Sequence, residues 1–350
     1  MRPRPIIDAR LPLVLLALAI MPACGDRRSH PGEPLRPLRM LGEVGTEPGQ
    51  FNYPRAIDAG SGAIVVIDKS ARVQRIDPQT GACLGWTTMP RFEHGKPTGI
   101  SVAPFLDGSS TFYIADTHEH RVLVIDPPMG SGDPPIIRAA FGSLGTGAGE
   151  FIFPTDIAVL TDDGGHPQRI YVSEYGGNDR ISVFGPGALH GEEAFLFSFG
   201  TPGSGEGAEL NRPQSIAIDP DTRELVVTDA VNHRIGRFTL DGDLVSWIGS
   251  PDESGTGRFD YPYGLWIMGG SRAIVSEFGS SRVSVVDLRA GEVVARYGKP
   301  GRDARELATP WGVAGLGGAL YVLDSGNNRV VACVPSGLSS EDLSLPKGGS

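Results

Sequence analysis

The stretch Phe112–Asp126 reads FYIADTHEHRVLVID. An apolar run ends in an acid, a few polar residues follow, and an arginine opens a second apolar run. Tyr113–Ala115 and Val122–Ile125 are β-branched, aromatic or otherwise apolar, and the link between them is short. That combination predicts a β-hairpin. In the second run, Val122 and Val124 point one way and Leu123 and Ile125 the other, so both faces of the strand are apolar. Such a strand is buried on both sides.

Outward from this phrase, the chain repeats it six times. The sister copies are IVVIDKSARVQRID (Ile64–Asp77), IYVSEYGGNDRISVF (Ile170–Phe184), LVVTDAVNHRIGRF (Leu225–Phe238), AIVSEFGSSRVSVVD (Ala273–Asp287) and LYVLDSGNNRVVACV (Leu320–Val334). Each follows a glycine-rich or polar loop ending in a proline, as in GQFNYP (Gly49–Pro54) and GEFIFP (Gly149–Pro154), and then a short apolar strand. Pro54, Pro97, Pro154, Pro213, Pro262 and Pro310 lie 43 to 59 residues apart, the period of a four-stranded propeller blade. A fourth strand fits after each hairpin: Cys83–Met89, Ile136–Gly142, Ala194–Gly200, Asp243–Gly249 and Glu292–Gly298. The sixth copy has none, but Pro37–Gly45 stands ahead of the first. We therefore expect an all-β, six-bladed β-propeller of antiparallel four-stranded blades. The N-terminal strand completes the last blade, and that closure protects edges an open array would expose.

The acids Asp68, Asp116, Glu174, Asp229, Glu277 and Asp324 precede Arg72, Arg121, Arg180, Arg234, Arg282 and Arg329. The spacing is five residues in four copies, four in the first and six in the third. That places acid and base on opposite legs of one hairpin, where a charged hydrogen bond pins the turn. Sixfold repetition argues for a structural role, because a catalytic site needs one asymmetric constellation.

Composition narrows the function. The 350 residues include 49 Gly and 29 Pro, spaced at regular intervals, which indicates many turns. The net charge is −10, and residues 1–23, with Arg2, Arg4, Arg10 and Asp8, contribute positively, so the remainder is more acidic still. Phosphate affinity comes from Lys and Arg, so nucleic acid is a poor expected partner. No G-x-S-x-G elbow and no glycine-rich loop opening a helix is present. Cys83 and Cys333 fall on copies that become neighbours on ring closure. Two buried thiols are expected there, with a disulfide the alternative.

The N-terminus has a basic segment, the apolar core Leu11–Ile20, and a small residue before Cys24. This predicts a signal peptide over 1–23; the apolar core is too short to span a bilayer. Cys24 after a small residue resembles the lipobox of bacterial lipoproteins. Residues 24–36 then form a lipid-anchored linker, 37–335 the propeller, and 336–350 a polar, flexible tail. The expected location is the periplasm or cell surface, membrane-anchored through the lipid.

The pattern G-x-F-x-x-P, then apolar-Ile-Ala, then (Ile/Val)-x-Asp-x-x-(Asn/His)-x-Arg-(Val/Ile) resembles the NHL repeat, over about residues 37–335. The resemblance implies a six-bladed propeller and no single function. Such propellers serve as protein- or RNA-binding modules, as a zinc-dependent amidating lyase, and as exported bacterial proteins. In the lyases three histidines hold zinc around the channel. Here the residue before the repeat Arg is His120 in copy two and His233 in copy four, but Ala71, Asp179, Ser281 and Asn328 elsewhere. With His118 these are the first place to look for a metal, zinc or calcium, and they make a poor set.

The residues just after the repeat prolines are Arg55, Thr98, Thr155, Gln214, Tyr263 and Trp311. They vary in chemistry while their surroundings repeat, and should rim the channel mouth. We expect a monomeric, non-enzymatic binding propeller for a protein, peptide or envelope component. Tyr263 and Trp311 would be its anchors, and Arg55, Asp156 and Gln214 its polar contacts. The alternative is a metal-dependent lyase or hydrolase at the channel mouth.

Overall fold

The computed structural model describes residues 36–90, 97–104, 109–190, 194–249, 258–334 and 338. The signal segment 1–23, Cys24, most of the linker and most of the C-terminal tail lie outside the described residues.

Six four-stranded antiparallel sheets form the six blades. Blade 2 shows the pattern. Its inner strand Gly99–Pro104 pairs with Ser110–Asp116, which pairs with Arg121–Ile125, which pairs with the outer strand Ile137–Phe141. The inner strands of the other blades are Pro54–Gly60, Phe153–Thr161, Pro213–Asp219, Pro262–Gly269 and Gly312–Leu316. The sixth blade takes its outer strand from the N-terminal side. Pro37–Leu41 pairs antiparallel with Arg329–Cys333, with Pro37 opposite Cys333 and Leu41 opposite Val330. This is the closure expected from the sequence.

The alternation in the opening phrase explains the core. Among the described residues there are six apolar clusters, one for each seam between neighbouring blades. Phe112, Ile114, Leu123 and Ile125 pack toward blade 1, whereas Tyr113, Ala115, Val122 and Val124 pack toward blade 3. A middle strand thus serves two seams at once, which is why polar residues seldom interrupt it. Cys333 is buried and Cys83 half-buried, and both are free thiols.

The glycine-rich loops are built around a plug. Phe51, Phe151, Leu210, Phe259 and Leu307, each three residues before a repeat proline, are fully buried. Gly142 shows why the loop must open with glycine. Its φ is +92°, and a Cβ there would sit 2.4 Å from the Phe151 ring.

Candidate functional site

The six acid–arginine pairs lie on the face that carries the glycine-rich loops. Their N–O distances are 2.6 Å (Asp68–Arg72), 2.9 Å (Asp116–Arg121), 2.7 Å (Glu174–Arg180), 2.8 Å (Asp229–Arg234), 2.7 Å (Glu277–Arg282) and 2.7 Å (Asp324–Arg329). Each acid is buried. The pairs do more than close their own hairpins. Arg234 donates to the carbonyls of Gly205 and Glu209, and Arg329 to those of Asp303 and Glu306. The acids accept loop N–H groups in turn, as Asp229 does from Asn211 at 2.6 Å and Glu277 from Asp260 at 2.8 Å. Each pair therefore clamps the loop that leads into its own blade.

The residue before each repeat arginine has a separate duty. Ala71, His120, His233, Ser281 and Asn328 all have φ between +52° and +60°. Asn and His are among the side chains that tolerate this left-handed conformation best. Four side chains at this position reach across a seam to the backbone N–H of the next blade. Asn328 Oδ1 accepts from Tyr53 at 2.7 Å and Asp179 Oδ1 from Arg212 at 2.5 Å. His233 Nδ1 accepts from Tyr261 at 3.2 Å, and Ser281 Oγ from Thr309 at 3.2 Å. His120 Nδ1 contacts the Ile152 carbonyl, and its ring packs on Phe153 beside His118.

These contacts bear on the metal candidates. His118 and His120 belong to the seam between blades 2 and 3, whereas His233 lies at the seam between blades 4 and 5. The Nδ1 lone pair of His233 is already committed to Tyr261. Among the described residues no three His, Cys, Asp or Glu side chains gather into a metal-binding group. The donor set does not fit the three-histidine zinc centre that the resemblance implies.

The central channel is lined by all six inner strands and has a cavity volume of ≈ 230 Å³. Two carboxylates project into it. Asp58 accepts N–H bonds from Val102 at 2.6 Å and Ala59 at 2.8 Å, tying blade 1 to blade 2. Asp156 accepts from Ser215 Oγ at 2.5 Å and Ile216 N at 3.0 Å, tying blade 3 to blade 4. Burial pushes Asp58 up to about 6. Burial also pushes Asp156 up to about 7, and the charge of Asp58 raises it further. Asp156 thus lies inside the channel as an inter-blade tie.

At the mouth the other predicted residues come together. Tyr263 meets Trp311 edge to face at 5.2 Å and stacks on Phe278 at 4.6 Å. Tyr53 also meets the Trp311 ring edge to face, at 6.1 Å. The Arg55 guanidinium lies 5.5 Å from the Trp311 ring centre. Arg212 lies 5.4 Å from Tyr263 and 4.9 Å from Tyr175, and its Nε donates to Gln214 Oε1 at 3.3 Å. Gln214 and Tyr263 are largely buried, so Tyr263 braces Trp311 more than it projects. Thr155 is buried and bonds Ser173 and the Pro213 carbonyl.

Reading only the residues after the prolines missed Arg212, Tyr53, Tyr175 and Phe278. Tyr53, Arg212 and Tyr261 immediately precede the prolines and have φ of +47°, +59° and +51°. The signal was available: the position before each proline holds tyrosine or another large side chain in several copies.

Comparisons with known proteins agree with this architecture. Residues 210–238 match the NHL repeat family model. No curated protein sequence matches the chain. Among solved structures, a protein of unknown function from Bacteroides thetaiotaomicron is similar at TM-score 0.56 and 15% identity, covering 86% of this chain and 72% of that one. A streptogramin B lyase is similar at TM-score 0.54 and 14% identity, covering 85% and 87% respectively. Catalytically inactive virginiamycin B lyase from Staphylococcus aureus, with quinupristin, is similar at TM-score 0.54 and 17% identity, covering 85% and 86%. Likeness at this identity speaks for the fold: the chain is a six-bladed β-propeller with an NHL repeat in its fourth blade.

Proposed function

We propose that this chain is a non-enzymatic binding propeller, exported and held to a membrane through Cys24. It recognises a protein, peptide or envelope component through the face bearing the glycine-rich loops. One observation carries the reading: the channel mouth concentrates aromatic rings and arginines whose chemistry the repeat does not require. Trp311, Tyr263, Phe278 and Tyr53 form one contiguous aromatic group, flanked by Arg55 and Arg212. Aromatic and arginine side chains are the usual energetic anchors of interfaces. The rigid ring holds them in place, which lowers the ordering cost of binding. A metal-dependent lyase or hydrolase would draw on the likeness to the two lyases, but the seam contacts of His120 and His233 speak against it.

The test uses a photo-crosslinking residue. Tyr261, 40% exposed at the mouth, and Val245, 44% exposed on the outer strand of blade 4, would each be replaced by p-benzoylphenylalanine. Irradiation in envelope extract should yield a discrete adduct from position 261 and none from position 245. Equal or absent labelling at 261 overturns the reading. Cys24→Ser should move the protein from the membrane to the soluble fraction.

A further inference from the structure

We propose that the mouth recognises a carboxylate, carried beside an aromatic or apolar group, between Arg55 and Arg212. The inference rests on the binding reading above and names the chemistry of the ligand.

Two donors at the mouth lack an acceptor. The Nε of Arg55 and the Nε1 of Trp311 are both buried and have no hydrogen-bond partner among the described residues. A buried donor left unpaired costs on the order of 1–3 kcal/mol, so such groups are normally satisfied by something. Neither Arg55 nor Arg212 has a carboxylate partner among the described residues. That sets them apart from the six repeat arginines, each of which has its own acid. Their charges are close enough that Arg212 adds to the effect of burial in lowering the pKa of Arg55. Two uncompensated guanidiniums in a protein of net charge −10 form a local positive centre.

The surroundings define the rest of the ligand. Arg55, Trp311, Tyr263, Arg212 and Tyr175 follow one another around the rim at centre-to-centre steps of 5.5, 5.2, 5.4 and 4.9 Å. The two cations therefore bracket an aromatic wall. A planar carboxylate matches the guanidinium fork, and a flat or apolar neighbour matches the rings. The channel volume of ≈ 230 Å³ is smaller than the sites that enclose whole drug-sized molecules. It admits a terminal group. The C-terminus of a peptide and a small free arylalkyl acid share this chemistry.

The experiment is isothermal titration of the purified full chain with four probes. These are N-acetylphenylalanine, its amide, a pentapeptide ending in phenylalanine as the free acid, and the same peptide as the amide. Each acid should bind at least about tenfold more tightly than its amide. Arg55→Gln and Arg212→Gln should each weaken the acids by about tenfold or more, weaken the amides by clearly less, and keep the wild-type circular dichroism spectrum and melting temperature. A peptide acid that outbinds N-acetylphenylalanine supports the carboxylate and assigns it to a chain terminus. Equal affinities support it as a free acid. Acids that bind no better than amides overturn the inference while leaving a binding mouth in place. No acid binding up to about 10 mM also overturns it, and the crosslinking at position 261 then decides the binding reading by itself.

Discussion

Arg234→Met tests the account of the repeated ion pairs most directly. In the wild type, Arg234 Nε donates to Asp229 Oδ2 at 2.8 Å, Nη1 to the Gly205 carbonyl at 2.8 Å, and Nη2 to the Glu209 carbonyl at 2.7 Å. Its guanidinium also lies 3.6 Å from the Trp247 ring centre. Methionine keeps much of the volume and removes every one of these bonds. Asp229 is fully buried and would retain only Asn211 N and Asn232 Nδ2 as donors. Breaking a buried pair from one side costs about 3–5 kcal/mol, and the two surviving donors argue for the lower end. The loss should depend on pH. Burial already raises the Asp229 pKa above its ordinary value, and removing Arg234 raises it further. A carboxyl raised in the folded state imposes no penalty below the unfolded pKa, and its full penalty above the folded one. The variant should therefore lie nearer the wild type at pH 4 than at pH 8. Urea unfolding followed by tryptophan fluorescence measures this, with Trp247 as a nearby reporter. Adding Asp229→Asn should restore roughly 1–2 kcal/mol at pH 8 by removing the stranded charge. A loss below about 1 kcal/mol with no pH trend is what an exposed surface pair would give, and would refute the clamp.

Other outcomes follow from the same structure. Gly142→Ala forces φ +92° on alanine and a Cβ onto the Phe151 ring, and should cost about 2–4 kcal/mol in thermal or urea unfolding. Gly62→Ala, with φ +74° but open space, should lose only the conformational part, and equal losses would refute the plug argument. Asp156→Asn removes a carboxyl whose pKa is pushed up to about 7 by burial and by Asp58. The wild-type stability should therefore fall as pH rises from about 4 to 7, and the variant should match it at pH 4 and exceed it at pH 8; parallel pH curves would refute the coupling. Deleting residues 1–41 bares the Arg329–Cys333 edge, so the melting temperature should drop and aggregation should increase; an unchanged melt would refute strand closure as a source of stability.

The fold was legible because the same requirement recurs in each blade. A middle strand that faces two seams must be apolar on both sides, and Phe112–Asp126 records that rule in its letters. The half-exposed fourth strands were legible from their recurring place after each hairpin and their glycine ending, including Pro37–Leu41 far from its sheet partners. The site was less legible because its residues share a place but not a sequence signal. Arg55 and Trp311 were found by aligning copies on the prolines. Arg212 and Tyr53 stand one residue earlier, and the left-handed backbone there carries them into the same mouth. Phe278 follows Glu277 in a turn and meets Tyr263 only through ring geometry. His120 and His233 looked chemical in isolation. A left-handed backbone and a reach across the seam account for their shared position, and neither is visible until the blades are set side by side.

The direction of the closing strand has a consequence for how the molecule would present itself. Leu41 pairs beside Val330, next to the Asp324–Arg329 turn on the mouth face, whereas Pro37 pairs with Cys333 at the opposite end of the blade. The chain thus enters the ring from the side away from the mouth, and the last strand leaves toward that same side. A tether running from Cys24 to Pro37 would leash the ring by its back. A membrane on that side would leave Trp311, Arg55 and Arg212 facing outward, toward whatever diffuses past.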